Sequence, residues 1–220
     1  MSALIDFTPQ VIVYVGMAFY PKVLIPLEAE WASKTQAPRP VYLTESGNGT
    51  FAINFAGNDT AKRRRFFAVT NRTATTTNAK LVLRYNAAFP AEPVTEAEAP
   101  QPSYDAFYVA AYSVYALGDG DIDGIAISRS IGRLVPPGLR VEVGPAQIGE
   151  AFEVVRSGGQ IDLNGAIGSL DFESKTGEAT IDYAVVCPGV DDHGRASTDV
   201  DSHLFYDARE KKLVGKMACP

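Results

Sequence analysis

Hydrophobic residues at the start of the chain follow an order that is typical of a parallel sheet. The near-continuous β-branched run "QVIVYVG" (residues 10–16) predicts a strand buried on both faces. "FYPKVLIPLEAEWASKT" (19–35) places apolar residues at helical spacing, and "RPVYLTES" (39–46) predicts a second buried strand. Together the three segments predict a right-handed β-α-β unit, and therefore an α/β fold.

The pattern changes in the middle of the chain. "FAINFAGNDTAKRRRFFAVTN" (51–71) contains two short alternating runs punctuated by glycine and asparagine, which predict strands or extended connections. "TTTNAKLVLRYNAAF" (75–89) has a Thr/Asn-rich start suited to capping, and Leu81, Tyr85 and Phe89 fall on one helical face. We therefore expect a helix after the alternating runs.

Further helices are predicted between residues 103 and 159. "SYDAFYVAAYSVYAL" (103–117) begins with Ser103 as a candidate cap and is apolar nearly all round, which predicts a helix buried between other elements. "GIAISRSIGRLV" (124–135) and "GPAQIGEAFEVVRSGG" (144–159) also have helical spacing.

The last part of the chain alternates with a period of two residues. "QIDLNGAIGSLDFESKTGEATIDYAVVCP" (160–188) predicts a hairpin that turns at "SKTGE", and "HLFYDAREKKLVGKM" (203–217) predicts a second one that turns at "DAREK". We therefore expect a small antiparallel patch at the end of the chain.

Composition narrows the class of protein. The 220 residues are 46% hydrophobic and 21% charged, which is ordinary for a globular protein. A formal net charge of -6 argues against a nucleic-acid partner, which would favour a basic surface. No run of about 18 apolar residues is present, and "MSALIDFTPQ" lacks the charged-then-apolar order of a signal peptide. The chain is either cytoplasmic or a mature or truncated piece of an exported protein.

Motifs of catalytic sites are absent from the sequence. It contains no G-x-S-x-G nucleophile turn, no phosphate-binding loop and no H-E-x-x-H zinc motif. We therefore expect a protein that is not an enzyme and that carries no cofactor.

The stretch "LGDGDIDGIAISRSIG" (117–132) contains half of a calcium-binding pattern. Asp119, Asp121 and Asp123 occupy alternate positions, and a glycine follows as in an EF-hand loop. The twelfth position of that loop, which requires a bidentate glutamate, is Ser130. Asp121 or Asp123 would serve equally as the cap of the helix that follows.

Two cysteines, Cys187 and Cys219, each lie near the end of an apolar alternating run. Two such strands in one sheet could bring the sulfur atoms within bonding distance. A disulfide would imply an oxidising compartment, and the alternative is a pair of buried thiols. The sequence leaves both alternatives open.

Three passages carry a resemblance to a known family. "PQVIVYVGMAFYPKVLIPLEAEW" (9–31) has the order of a strand, an aromatic loop and a helix, "SYDAFYVAAYSVYAL" has a Tyr-Asp-Ala helix start, and "GSLDFESKTGEA" (168–179) has a Phe-Asp hairpin. In this order they resemble the C-terminal portion of the type I periplasmic binding proteins of the branched-chain amino-acid (Leu/Ile/Val) kind. The resemblance covers most of residues 8–187.

This resemblance implies a fold and a location. The fold would be α/β with type I periplasmic-binding-protein-like three-layer lobes around parallel sheets, plus a C-terminal antiparallel hairpin region. Residues 1–65 would be part of the second lobe, 66–172 part of the first lobe, and 173–220 would return to the second. The resemblance also implies a periplasmic or extracellular location, with a signal segment and half of the ligand site that this chain lacks.

The resemblance further implies a ligand site at the tips of the first two strands. Phe19 and Tyr20 would form an aromatic wall with a hydroxyl group, and Thr44, Glu45 and Ser46 would offer a carboxylate for the ammonium group of the ligand. Compared with the family pattern the acid stands one place early. An exposed loop carboxylate and aromatic residues that cover a helix start are the plainer alternatives.

Taken together, the resemblance implies a non-catalytic solute-binding protein of an ABC importer. Its ligand would be a small molecule such as an amino acid, and its partner a membrane permease or receptor. A sensory or interaction module with the same lobes is one alternative, and a calcium-binding protein that uses Asp119, Asp121 and Asp123 is another.

Overall fold

The structure is a computed structural model that describes residues 2–16, 19–45 and 49–220. Within these residues the chain is a mixed α/β protein. The strands are β1 (Val11–Tyr14), β2 (Val41–Glu45), β3 (Phe66–Asn71), β4 (Leu139–Glu142), β5 (Ile161–Asn164), β6 (Tyr183–Val190), β7 (Ala196–Asp207) and β8 (Lys212–Gly215). The helices are α1 (Ser2–Phe7), α2 (Ile25–Lys34), α3 (Gly49–Ala56), α4 (Thr60–Arg63), α5 (Thr76–Ala88), α6 (Gln101–Ala116), α7 (Gly124–Ser130) and α8 (Ile148–Arg156).

The chain divides into two compact units. The first comprises residues 1–71, 183–206 and 213–220, and the second comprises 72–182 and 207–212. The chain changes unit at 71/72, 182/183, 206/207 and 212/213, whereas the boundaries expected from the sequence were at 65/66 and 172/173. The assignment of these units to the lobes of a receptor stays a prediction.

The larger sheet has six strands in the order β1-β2-β3-β6-β7-β8. Strands β1, β2 and β3 are parallel, whereas β6 is antiparallel to both β3 and β7. A π-helical turn (Tyr20–Leu24) and α2 connect β1 to β2, which confirms the predicted β-α-β connection. The turn at residues 208–211 joins β7 to β8, so the antiparallel strands at the end of the chain are also confirmed.

The first unit buries one face of its parallel strands. Tyr42 and Phe66 on this face pack with Leu24, Leu27 and Trp31 of the preceding helical segment into a continuous core. On β1, however, burial alternates along the strand, and the exposed side chains are valines. Val11 is 54% exposed and Val13 is 65% exposed. The prediction that β1 is buried on both faces was therefore wrong.

Residues 51–71 adopt more helix than the sequence analysis predicted. Residues 51–56 lie in α3 and Thr60–Arg63 form α4, so only β3 is a strand. The carboxylate of Asp59 accepts a hydrogen bond from the backbone N–H of Lys62 and thereby caps α4. The short apolar run at residues 51–56 suits a helix as well as a strand, because six residues are too few for their periodicity to discriminate.

The second unit is built around a pair of parallel strands, β4 and β5. Val141 and Leu163 on their inner face pack with Tyr112 of α6, Val155 of α8 and Leu134. The hairpin predicted over residues 160–188 does not form as expected, because β5 pairs in parallel with β4. Of that hairpin the structure shows an isolated bridge between Phe172 and Ala179, and a turn in which the backbone N–H of Glu173 donates to the carbonyl of Glu178 at 2.8 Å.

Helix α6 differs from its prediction in two respects. It begins at Gln101 with Pro100 in the capping position, so Ser103 lies within the first turn and does not cap the helix. Phe107 is 67% exposed, and the helix is therefore not buried all round. Tyr112 and Ser113 lie on its buried side.

Both cysteines of the chain are joined in a disulfide, between Cys187 in β6 and Cys219 near the C-terminus. Cys187 is buried in the core of the first unit, whereas Cys219 is partly exposed. The bond links the final residues of the chain to a central strand of the larger sheet.

A buried carboxylate organises the charges of the first unit. Glu28 on α2 accepts hydrogen bonds from Arg65 at 2.6 Å, from Arg39 at 2.8 Å and from the Tyr42 hydroxyl at 2.6 Å. Burial alone would raise the pKa of Glu28, but these hydrogen bonds and the two guanidinium charges lower it below its ordinary value of 4.5. Glu28 therefore stays ionised and ties α2 to the segments before β2 and β3.

We expect Glu28→Gln to destabilise the first unit by about 3 kcal/mol, because it leaves two guanidinium groups without their carboxylate. Since the pKa of Glu28 is lowered in the folded state, its contribution is present above pH 4.5 and is lost as the pH falls through the lower folded value. Urea unfolding followed by fluorescence of Trp31, the single tryptophan, measures both effects.

Glu30→Gln is the matched control for this experiment. Glu30 lies on the same helix and forms an exposed pair with Lys34 at 3.5 Å, so its replacement should change stability by less than about 0.5 kcal/mol. Equal effects of the two substitutions would contradict the assigned role of Glu28.

Candidate functional site

Two of the site residues predicted from the sequence lie within the first unit next to the π-helical turn. Phe19 is 3% exposed and packs against the rings of Tyr14 and Tyr42, with centroid distances of 4.8 and 5.7 Å. Tyr20 is half-buried and lies beside Thr44. Phe19 is thus a core residue, while Tyr20 retains some exposed surface.

The Tyr20 hydroxyl is protonated at neutral pH. Burial raises the pKa of Tyr20 to about 12, the nearby Thr44 hydroxyl partly opposes this rise, and the charge of Asp199 adds to it. Thr44 itself is buried. The pair can therefore offer neutral hydroxyl groups to a neighbouring polar group.

Glu45 lies at the carboxyl end of β2 and is exposed. One of its carboxylate oxygens accepts a hydrogen bond from the backbone N–H of Gly16, at 2.9 Å, just beyond the end of β1. Glu45 thus connects the ends of the two strands. Ser46, the last residue of the predicted set, lies outside the described residues.

A polar cavity of about 430 Å³ lies entirely within the second unit. Its floor is the outer face of β4 and β5, because side chains alternate between the two faces of a strand. The inner face contributes apolar residues to the core, whereas every outward side chain is polar. The floor consists of Arg140, Glu142, Asp162 and Asn164, paired in register as Arg140 with Asp162 and Glu142 with Asn164.

Three segments form the walls of this cavity. They are the start of α5, the loop that follows β5, and the turn between β7 and β8. Most of their side chains carry hydroxyl groups or charges, and Ile167 is the one large apolar side chain that the described part of the chain contributes to the lining. The wall residues are Arg72, Thr75, Thr76, Thr77, Gly165, Ile167, Gly168, Ser169, Thr180, Asp182, Asp207 and Arg209.

The N-terminal end of α5 is fastened to the loop after β5. Thr75 caps the helix by accepting a hydrogen bond from the backbone N–H of Asn78, as the sequence predicted for this Thr/Asn-rich segment. Its hydroxyl also donates to the carbonyl of Ala166, at 2.8 Å. One side chain therefore holds two walls of the cavity together.

The loop after β5 is held in place by a buried carboxylate. Asp105 on α6 accepts hydrogen bonds from the backbone N–H groups of Ala166 and Ile167, at 2.7 and 3.0 Å. Burial raises the pKa of Asp105, and these two amide groups oppose the rise. Gly165 begins the loop, and a Cβ atom there would lie 2.3 Å from the Asp105 carboxylate.

Most charges around the cavity already have partners. Glu142 pairs with Lys80, Arg209 pairs with Asp171, and Arg72 lies 3.6 Å from Asp182. Arg140 and Asp162 differ from these groups. Within the described part of the chain, the one hydrogen bond of the Arg140 guanidinium goes to the side-chain oxygen of Asn164, at 3.4 Å. The carboxylate of Asp162 has neither an ion pair nor a hydrogen bond with a described residue.

The aspartate loop before α7 has the contacts of a helix start. Asp123 caps α7 by accepting from the backbone N–H of Ala126, as one of the two interpretations predicted. Asp119 and Asp121 are exposed, and the buried Ser130 hydroxyl donates to backbone carbonyls. Among the residues that the structure describes, no group of three or more His, Cys, Asp or Glu is arranged to hold a metal ion.

The residues of the cavity floor were not predicted from the sequence. A signal was present, because residues 139–143 ("LRVEV") and 161–164 ("IDLN") alternate apolar and polar residues with a period of two. That alternation places Arg140 and Glu142 on one face of the first segment, and Asp162 and Asn164 on one face of the second. The sequence does not show that these two segments are neighbours.

No model of a protein family matches this chain, and no curated protein matches it. Within the described ranges, no helix is both long enough and apolar enough to cross a membrane.

We expect Gly165→Ala to destabilise the second unit by about 2 kcal/mol, because the added Cβ must displace either the loop or the Asp105 carboxylate. Faster hydrogen exchange at the amides of Ala166 and Ile167 would report the loss of their hydrogen bonds. Gly149→Ala is the control, because a Cβ atom there has no heavy atom within 4 Å. If these amides exchange as slowly in both variants as in the parent protein, the conformation of the loop does not depend on Gly165.

Proposed function

We propose that this protein binds a small amino-acid-like solute without transforming it, as the binding component of an ABC importer outside the cytoplasm. The observation that carries the proposal is the polar cavity of the second unit, which lies over β4 and β5 and extends to the loop at the carboxyl end of β5. In open α/β folds, ligands bind near the carboxyl ends of parallel strands.

The size of the cavity suits a small solute. Its volume of about 430 Å³ falls at the lower end of the range of roughly 300 to 1,000 Å³ that is usual for ligand pockets. An amino acid with its hydrating water fits within this space.

The chemistry of the cavity suits binding by hydrogen bonds and charge. The floor and walls present guanidinium, carboxylate, amide and hydroxyl groups, which together can pair with both poles of an amino acid. Asp105, outside the cavity, and Thr75, in its wall, fix the loop and the helix start, so little ordering is needed when a ligand enters. The proposal assigns no chemical step to these groups.

Assignment of the two units to receptor lobes is part of this proposal. The first unit would be part of the second lobe, because its parallel β1, β2 and β3 are followed by a return of the chain at β6. The second unit would be part of the first lobe. Its α6 contains the Tyr-Asp-Ala segment, and Asp105 of that segment supports the loop of the cavity.

The paired cysteines support a location outside the cytoplasm, since disulfides persist in oxidising compartments. Reduction would open a covalent loop with a sequence separation of 32, which corresponds to about 3 to 4 kcal/mol of stability in the chain-entropy model. We expect Cys187→Ser with Cys219→Ser to lower the urea midpoint and to abolish its sensitivity to reductant. A parent protein whose midpoint is unchanged by reductant would argue against this role of the bond.

We expect amino acids to raise the melting temperature of the protein, because a ligand that binds only the folded state stabilises it in proportion to the logarithm of its concentration. The measurement is a thermal-shift screen with the common L-amino acids at millimolar concentrations. Glu45→Gln should retain the shift, because Glu45 lies in the first unit and the cavity lies in the second. A screen without any shift would contradict the proposed function, and loss of the shift in Glu45→Gln would move the site to the first unit.

A further inference from the structure

We infer that the ligand is an amino acid with a polar side chain, whose carboxylate is held by Arg140 and whose ammonium group is held by Asp162. This inference rests on the proposed function, solute binding in the cavity of the second unit, and names the class of solute and the two binding residues. It narrows the small amino-acid-like ligand that the family resemblance implies to amino acids with polar side chains.

Arg140 and Asp162 are neighbours that do not pair with each other. They are register partners on adjacent parallel strands, with side chains on the same face and in the lining of the cavity. Adjacent strands are separated by only about 4.8 Å. Even so, no nitrogen of Arg140 approaches an oxygen of Asp162 within the 4.0 Å of an ion pair, because the guanidinium group turns towards Asn164.

The remaining charges of the cavity cannot easily replace this pair. Glu142 pairs with Lys80, and Arg209 with Asp171 and Ser169. Asp182 lies 3.6 Å from Arg72 and accepts from the backbone N–H of Ala208, and Asp207 accepts from the backbone N–H of Glu210. A ligand with only one charge would pair with one of the two residues. It would remove water from the other residue without providing a partner for its charge, which costs free energy. A zwitterion satisfies both, and each contact is a charge-assisted hydrogen bond.

The lining of the cavity also determines which amino-acid side chain fits. An aliphatic side chain gains affinity by removing apolar area from water against apolar neighbours. Among the described residues, Ile167 is the one large apolar side chain of the lining, whereas threonines at the start of α5, Ser169 and Thr180 supply hydroxyl groups. A hydroxyl or amide group on the ligand can exchange hydrogen bonds with these residues, which a branched aliphatic group cannot do.

The test uses pairs of ligands that have the same shape and differ in polarity. L-Threonine is compared with L-valine, and L-asparagine with L-leucine, by isothermal titration calorimetry on the full chain. We expect the polar member of at least one pair to bind about tenfold tighter or more, since an unmet hydrogen-bonding group in the site disfavours its apolar analogue. Tighter binding of valine and leucine than of their polar analogues would overturn the assigned class of ligand.

The two poles are tested with Arg140→Gln and Asp162→Asn, which remove one charge each from the outer face of the strands and leave the core unchanged. Each should weaken the preferred amino acid about tenfold or more. Two analogues of the preferred amino acid, each with a single charge, separate the roles of the two residues. Arg140→Gln should weaken binding of the deaminated acid, which keeps the carboxylate, but not of the decarboxylated amine. Asp162→Asn should weaken binding of the amine but not of the acid. Arg129→Gln, on α7 and outside the cavity, is the control and should bind like the parent protein.

The outcomes separate this inference from the proposed function. If a polar amino acid binds and neither variant weakens it, the assigned poles are wrong while solute binding stands. If both variants weaken the amine and the acid equally, the two residues act on the shape of the site and the assignment of poles is overturned. If no amino acid in the full panel binds the parent protein, the proposed function fails and this inference fails with it.

Discussion

The candidate site depends on a carboxylate that lies outside it. Asp105 projects from α6 and meets two successive backbone N–H groups of the loop after β5, and this contact is possible only because Gly165 leaves room for it. The loop is in turn bonded through Ala166 to Thr75 at the start of α5. A chain of three contacts therefore fixes the cavity walls relative to the strands before any ligand is present, which lowers the ordering cost of binding.

The two units use charge in opposite ways. In the first unit Glu28 is buried and fully engaged by two guanidinium groups and a phenol, so its charge stabilises the fold and is inaccessible to a solute. In the second unit Arg140 and Asp162 remain on a face that no core residue covers, and neither satisfies the other. Charged groups that are paired within the protein stabilise its structure, whereas Arg140 and Asp162, which do not pair with each other, could pair with a charged ligand.

The sequence predicted those strands and helices whose hydrophobic periodicity lies within one segment. It failed where burial or strand pairing depends on other segments of the chain. The run before Gly16 and the helix containing Trp31 were found because several apolar positions in succession define their period. The prediction that both faces of β1 are buried was wrong, because a run of β-branched residues has the same sequence pattern whether or not its second face is covered. The cavity floor was missed because β4 and β5 are four residues each and lie about twenty residues apart, so their pairing leaves no mark in either segment.

The alternation of β4 and β5 separates two kinds of change that the chain can tolerate. Substitutions at Val141 or Leu163 alter the packing of the second unit, whereas those at Arg140 or Asp162 alter only the surface that meets solvent. Mutational drift at the outward positions can therefore change the charge and polarity of this face while the scaffold stays intact. Proteins built on such strands would diversify in surface chemistry faster than in how they fold.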